Sequence, residues 1–249
     1  MKKKILILNP NTSGEATKRM EEECRKVASP ETEVKATCIP SKPEFSSWIV
    51  LSYVDFTICA AEATKIAWKE RNNYDGLIVA GFSDVGLDAI KELLNIPVIG
   101  IAETAYHIAS LLGHRFSVLT GTSKWTPPKH DYVKAVGVES KVVSFRSYSE
   151  WEEIAPPEIL REHLITTAKK AIKEDGAEVI ILGGGPLVGY GRKIEKELGV
   201  PVVDPTVTAL KVMEGLIDLG LKHSKIGRWK NPKEKIGNIA YNRKWLDMP

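Results

Sequence analysis

The stretch Asp75-Gly76-Leu77-Ile78-Val79-Ala80-Gly81 returns, with changes, as Gly176-Ala177-Glu178-Val179-Ile180-Ile181-Leu182-Gly183-Gly184. Each copy is an unbroken apolar run ending in glycine. Each is followed by a helical stretch and then by a second shared phrase, Asn95-Ile96-Pro97-Val98-Ile99-Gly100 and Gly199-Val200-Pro201-Val202-Val203-Asp204. Ala105 and Ala209 then fall inside the next helices, and the offset between copies stays near 103–104 residues. Any two β–loop–α–β units look somewhat alike, but an offset this steady favours duplication. Runs such as Leu77–Ala80 and Val179–Leu182 suit strands covered on both faces, which is how parallel sheets flanked by helices read.

Outward from these runs, further strands are expected at Lys4–Leu8, Glu33–Ile39, Pro97–Ile101, Arg115–Thr120, Lys141–Phe145 and Val200–Val203. Helical stretches fall near 14–28, 46–72, 86–94, 103–113, 129–136, 157–174, 189–198 and 206–220. Strand–helix alternation at this length means a doubly wound α/β chain. Duplication splits it into two related lobes about a pseudo-twofold axis, residues 1–100 plus 205–249 and residues 101–204. Ligands of such sheets bind beyond the carboxyl ends of the strands. That rule gathers the loops after Leu8, Ala80, Thr120 and Leu182 around one cleft between the lobes.

Composition is compatible with this reading and excludes others. The 249 residues are 43% apolar and 27% charged, with a formal charge of +3, which does not suit a disordered chain. Met1-Lys2-Lys3-Lys4 precedes only four apolar residues before Asn9, too few for a signal peptide, and no run approaches a membrane span. Cys24, Cys38 and Cys59 lack zinc-type spacing, and a chain this long needs no disulfide framework. A cytoplasmic protein without a metal is the simplest expectation. The segment 222–249 carries Lys222, Lys225, Arg228, Lys230, Lys233, Lys235, Arg243 and Lys244 against Glu234 and Asp247. With Trp229, Tyr241 and Trp245 it has the ingredients of a nucleic-acid contact but no recognisable motif. Packing on the body or on a neighbouring subunit is expected instead.

Several loops carry chemistry. Asn9-Pro10-Asn11-Thr12-Ser13 ends a strand and opens a helix. It is either a polar turn with Ser13 as cap or a holder of an anion or carbonyl. Gly183-Gly184-Gly185-Pro186 lets backbone approach a ligand closely, but it lacks the Lys-Ser/Thr pair of a P-loop and the context of a dinucleotide fingerprint. Gly81-Phe82-Ser83-Asp84 is the matching loop in the first lobe. Asp84 either caps the next helix or faces the cleft as a base. Thr120-Gly121-Thr122 adds hydroxyls at a strand end. Glu103 and His107 lie one turn apart in a helix, and Tyr106 and Tyr190 read as packing residues.

Together these segments resemble the aspartate/glutamate/hydantoin racemase superfamily, in its hydantoin racemase branch. The resemblance runs through Ile7-Leu8-Asn9-Pro10-Asn11-Thr12-Ser13, Phe82-Ser83-Asp84-Val85-Gly86-Leu87-Asp88-Ala89, Pro97–Ala105, Arg115–Thr120, Pro201-Val202-Val203-Asp204 and Leu219–Lys225. It implies two Rossmann-like lobes, a small-molecule ligand between them, a homo-oligomer, and neither metal nor organic cofactor. It also implies two cysteines, one per lobe, which remove and return an α-proton on opposite faces. Those two positions are Gly81 and Gly184 in this chain, and glycine is neither acid, base nor nucleophile. The cysteines that are present read as small buried hydrophobes.

The expected function is therefore a divergent member acting on an amino-acid-like carboxylate or a hydantoin-like cyclic ureide by non-thiol acid–base chemistry: hydrolase, lyase or one-sided isomerase. Asp84, Glu103 and His107 are the candidate catalytic groups. Asn9, Asn11, Thr12, Ser13, Gly81, Phe82, Ser83, Thr120, Gly121, Thr122, Gly184 and Gly185 are the candidate ligand contacts. The alternatives are a non-catalytic small-molecule binding or regulatory protein, and a racemase using other bases.

Overall fold

The computed structural model describes residues 2–43, 45–149 and 156–231, together with the backbone of 235–236, 239–240 and Trp125. Of the basic C-terminal segment, Lys233, Arg243, Lys244, Tyr241, Trp245 and the Lys235 side chain lie outside the described residues.

Two parallel four-stranded sheets carry the fold. The first holds β1 (Lys3–Asn9), β2 (Thr32–Cys38), β3 (Gly76–Val79) and β4 (Val98–Gly100), in the order β2-β1-β3-β4. The second holds β5 (Phe116–Thr120), β6 (Val142–Ser147), β7 (Val179–Gly183) and β8 (Val202–Val203), in the order β6-β5-β7-β8. The second order is the first with every strand advanced by four. Register repeats as well: Leu77 and Ile78 pair with Val98 and Ile99, and their duplicates Ile180 and Ile181 pair with Val202 and Val203. The apolar runs are buried along their whole length in β3, β5 and β7, whereas the edge strand β6 is half-exposed throughout. Central strands need apolar side chains on both faces because helices cover both.

Helices α1 (Gly14–Val27), α2 (Tyr53–Glu70), α3 (Leu87–Leu93) and α4 (Ile101–Leu112) alternate with the first strands, and α5 (Thr126–Ala135), α6 (Pro157–Asp175), α7 (Gly191–Leu198) and α8 (Pro205–Asp218) with the second. The sequence places a helix from residue 46, but α2 starts at Tyr53. Ser52 and Asp55 form a reciprocal capping box there, which satisfies the first free N–H groups and fixes the start. Leu6, Leu8, Leu77 and Val79 pack with Cys59, Ala63 and Ile90. In the second sheet, Leu119, Ile180 and Leu182 pack with Leu164, Ala168 and Ile194. Each leucine, isoleucine or valine among them contributes about 1.5–3 kcal/mol when fully buried.

The chain divides into one compact unit of Met1–Gly100 with Leu210–Pro249 and a second of Ile101–Ala209. In the first unit, Ser29 is held by Glu214 through its N–H (2.8 Å) and hydroxyl (2.9 Å). The segment after α8 packs on α3: Lys225 Nζ donates to Glu92 O (3.0 Å), Arg228 reaches Asp88 (2.6 Å) and Trp229 Nε1 donates to Asp88 (2.8 Å). The described part of the basic tail is thus a brace on its own unit. Beyond it, β9 (Lys235–Ile236) and β10 (Ile239–Ala240) form a short antiparallel pair. Among the described residues no helix is long and apolar enough to cross a membrane.

Candidate active site

In the first unit the carboxyl ends of β1 and β3 bring two of the expected loops together. Asn9 ends β1 fully buried; its Nδ2 donates to Thr17 Oγ1 (2.9 Å), and its Oδ1 has no partner among the described residues. A buried acceptor left unpaired costs about 1–3 kcal/mol, so this carbonyl is a conspicuous polar atom at a strand end. The rest of the loop is tied locally. Asn11 Oδ1 accepts from Ser13 N–H (2.9 Å), Thr12 N–H donates to Ser47 O (2.8 Å), and Ser13 Oγ caps α1 by accepting from Ala16 N–H (3.2 Å). Pro10 lies against Gly81: a Cβ on Gly81 would sit 2.7 Å from Pro10 Cγ. This glycine position is therefore sterically closed. Phe82 is buried and Ser83 half-buried in the turn that follows.

Asp84 is buried and sits in the left-handed region (φ 47°), which a short polar side chain tolerates better than most. Its N–H donates to Gly81 O (2.8 Å). The N-cap of α3 is Gly86, which has no side chain to bond with, and Asp84 meets the start of that helix through its backbone, its carbonyl accepting from Leu87 N–H (3.0 Å). Its carboxylate lies against Gly100 at the end of β4, where any side chain on residue 100 would overlap it.

In the second unit, Thr120 ends β5 fully buried and pairs with Gly183. Its hydroxyl donates to Thr122 O (2.8 Å), and Thr122 Oγ1 accepts from Lys124 N–H (3.3 Å), so both hydroxyls serve the loop that contains Gly121. Gly184 N–H donates to Leu182 O (2.9 Å), and Gly185 accepts from Val188. Unlike Gly81, Gly184 is open: a Cβ there would meet Leu187 Cγ and the Tyr148 hydroxyl at 3.7 Å. Glu103 is half-buried and His107 exposed, one turn apart on α4.

Three polar residues were missed by the sequence reading. Tyr148 follows β6, is 7% exposed and carries the hydroxyl beside Gly184. Burial, and then Tyr190, pushes its ionisation upward. Asp204 accepts from Gly189 N–H (2.6 Å) ahead of α8. Lys129, in the first turn of α5 after the Thr120 loop, is buried, and burial pushes its ammonium down to about 8. Tyr148 and Lys129 carry no motif, and Asp204 was quoted only as the end of a repeated phrase; each gains meaning from where the fold places it. Cys24 and Cys59 are fully buried within α1 and α2, and burial pushes the Cys59 thiol up to about 11. Cys38 ends β2 half-buried beside Asn9. Among the described residues no group of three or more His, Cys, Asp or Glu side chains is placed to hold a metal.

Two parallel four-stranded sheets with polar and glycine loops at their strand ends make this an α/β protein of the kind whose ligands lie beyond the carboxyl ends of the strands. The family model described as Asp/Glu/Hydantoin racemase matches residues 5–213, and the chain belongs to that family. It is 33% identical over 237 residues to a hydantoin racemase of Pseudomonas sp. (strain NS671), covering 93% of each chain. It is 32% identical over 241 residues to a hydantoin racemase of Paenarthrobacter aurescens, covering 93% of this chain and 98% of that one. The structure of an allantoin racemase from Klebsiella pneumoniae superposes with a TM-score of 0.86 at 31% identity, covering 98% of both chains.

Proposed function

We propose that the protein binds a five-membered cyclic ureide of the hydantoin kind, or an amino-acid-like carboxylate, and acts on it by acid–base chemistry without thiols. The observation that carries this reading is the pair of glycines where the family resemblance places thiols. Gly81 is packed shut by Pro10, so the chain is built around glycine there rather than merely lacking a sulfur. Ligand class is supported by relatives named for hydantoin and allantoin, both cyclic ureides. Such rings present N–H donors and carbonyl acceptors, which suits the unpaired Asn9 Oδ1. Asp84 is the candidate base, with Glu103 and His107 behind it; a single base serves one face of a planar intermediate, so the chemistry is one-sided isomerisation, lyase action or hydrolysis.

An enantiopure 5-substituted hydantoin and L-aspartate, each incubated with the protein in heavy water, test this. Consumption or deuterium uptake with optical activity retained supports one-sided chemistry. Loss of optical rotation with deuterium uptake would mean racemisation through other bases. Saturable binding without turnover would make this a binding protein. For the enzyme reading, Asp84→Asn lowers turnover at least tenfold while the melting temperature moves little; unchanged activity per folded molecule removes Asp84 from the chemistry.

A further inference from the structure

The strand β2 lies at one edge of the first sheet. In a parallel ladder, alternate residues turn both N–H and C=O to the same neighbour. Lys3 N–H donates to Glu31 O (2.8 Å), so the odd residues of β2 serve β1, and Thr32, Val34 and Ala36 turn their backbone groups to the open side. On that side two side chains of α1, one turn apart, stand where a further strand would pair. Arg25 Nε and Nη2 both donate to Val34 O (3.3 Å each), and Glu21 Oε2 accepts from Ala36 N–H (2.6 Å). Arg25 and Glu21 also pair with each other (2.5 Å), which locks donor and acceptor as a unit. Glu33 and Lys35, at the alternate positions, are exposed. A cleft of about 430 Å³ lies against the same edge, lined by Arg25, Pro30 and the strand residues Thr32–Lys35 among others, and leaves room for a backbone alongside.

A sheet edge is a template for another strand, and its side chains decide which one fits. The charge pattern here is self-complementary. Two copies of β2 laid antiparallel about Val34 set Val34 opposite Val34 and Thr32 opposite Ala36 as hydrogen-bonded pairs, all with backbone already turned outward. Between these fall the closer, non-bonded pairs, and in each of them Glu33 of one copy meets Lys35 of the other. Slipping the pairing by two residues either way sets Lys35 against Lys35 or Glu33 against Glu33, so charge selects one register. We propose that the open edge of β2 is a pairing surface for a second copy of this chain, and that the Glu21–Arg25 pair is the guard that keeps it closed. The guard occupies Val34 O and Ala36 N–H, two groups that the added strand needs, so both side chains must swing away before the edges can join.

Removing the guard tests this, with association read by sedimentation velocity over a concentration series. Glu21→Ala/Arg25→Ala should form a species larger than any the unaltered protein forms. Adding Lys35→Glu sets acid against acid and should abolish that species. Adding Glu33→Lys/Lys35→Glu instead exchanges the two charges and should restore it. Register is read by cross-linking: guardless chains carrying Glu33→Cys, mixed with guardless chains carrying Lys35→Cys and oxidised, should give a 33–35 disulfide between copies, identified by mass spectrometry. The same mixture with the guard intact should lose that cross-link. A guardless variant that sediments like the unaltered protein overturns the proposal. Association indifferent to Lys35→Glu also overturns it, because the contact then lies elsewhere. Equal cross-linking with the guard intact removes the blocking role from Glu21 and Arg25. If Glu21→Ala/Arg25→Ala fails to fold, Arg25→Ala alone releases the Val34 carbonyl and carries the same comparisons.

Discussion

The two units share strand order and register, yet they build opposite clamps at the ends of their third and fourth strands. In the first, the carboxylate comes from the loop after β3, as Asp84, and rests on Gly100 at the end of β4. In the second, it comes from the residue after β8, as Asp204, and reaches back to the loop after β7, accepting from Gly189 N–H (2.6 Å) and crowding Gly191. Each clamp joins an aspartate to glycine backbone, with donor and recipient strands exchanged. The two glycines at the resemblance's thiol positions diverge in the same way, since Gly81 is closed and Gly184 open. The two units thus agree in their buried strands, where register leaves little freedom, and differ in the loops at the strand ends.

The largest effect expected from breaking the comparison is at Gly100. A methyl there overlaps the Asp84 carboxylate, so Gly100→Ala should cost about 3 kcal/mol, at the upper end of the usual overpacking range. At the matching clamp, Gly191→Ala brings its Cβ only to 3.2 Å from Asp204 Cβ and should cost about 1 kcal/mol. Denaturant unfolding of both variants checks the difference. Equal losses would mean that Asp84 moves aside freely and that the first clamp is not rigid.

Next comes the contrast between Gly81 and Gly184. Gly81→Cys must displace the Pro10 ring and should lose about 2 kcal/mol, whereas Gly184→Cys should stay within about 0.5 kcal/mol of the parent. Thermal melts of the two variants rank them directly. If Gly81→Cys is as stable as Gly184→Cys, the closed position is soft and a thiol site can be rebuilt there without cost.

Much of this was legible in the sequence, for identifiable reasons. Leu77–Ala80 and Val179–Leu182 read as strands because burial on both faces leaves an apolar run, and their shared offset disclosed the repeated topology. Gly81 and Gly184 drew attention through the resemblance alone. What was not legible depends on contacts across strands. Pro10 meets Gly81 only because β1 lies beside β3. Tyr148 matters only because β6 and β7 flank β5, so that a phenol after one edge strand arrives over a glycine after another strand. Asp84 reads as a cap from its place before a helix, and that its carboxylate lies against Gly100 was hidden because it depends on β4 lying beside β3.

The smallest expected effect concerns the helices after the third strands. In the second unit, α7 is braced by α6: Glu197 pairs with Arg161 and Lys169, each at 3.0 Å. In the first, α3 is braced by the tail through Asp88, which Arg228 and Trp229 contact. Burial raises the Asp88 ionisation, but the bonds from Trp229 and Arg228 outweigh it and hold the carboxyl below its ordinary value of 3.8. A carboxyl lowered in the folded state stabilises it above that ordinary value, and the contribution disappears as pH falls through the folded value. Asp88 and Arg228 are both largely exposed, so Arg228→Ala should cost no more than about 0.5 kcal/mol at neutral pH. The difference from the parent should vanish by about pH 2 and shrink in about 1 M salt. A loss several times larger at neutral pH, insensitive to acid and salt, would show that the tail holds α3 by packing of Trp229 rather than by charge, making this brace unlike the ionic one on α7.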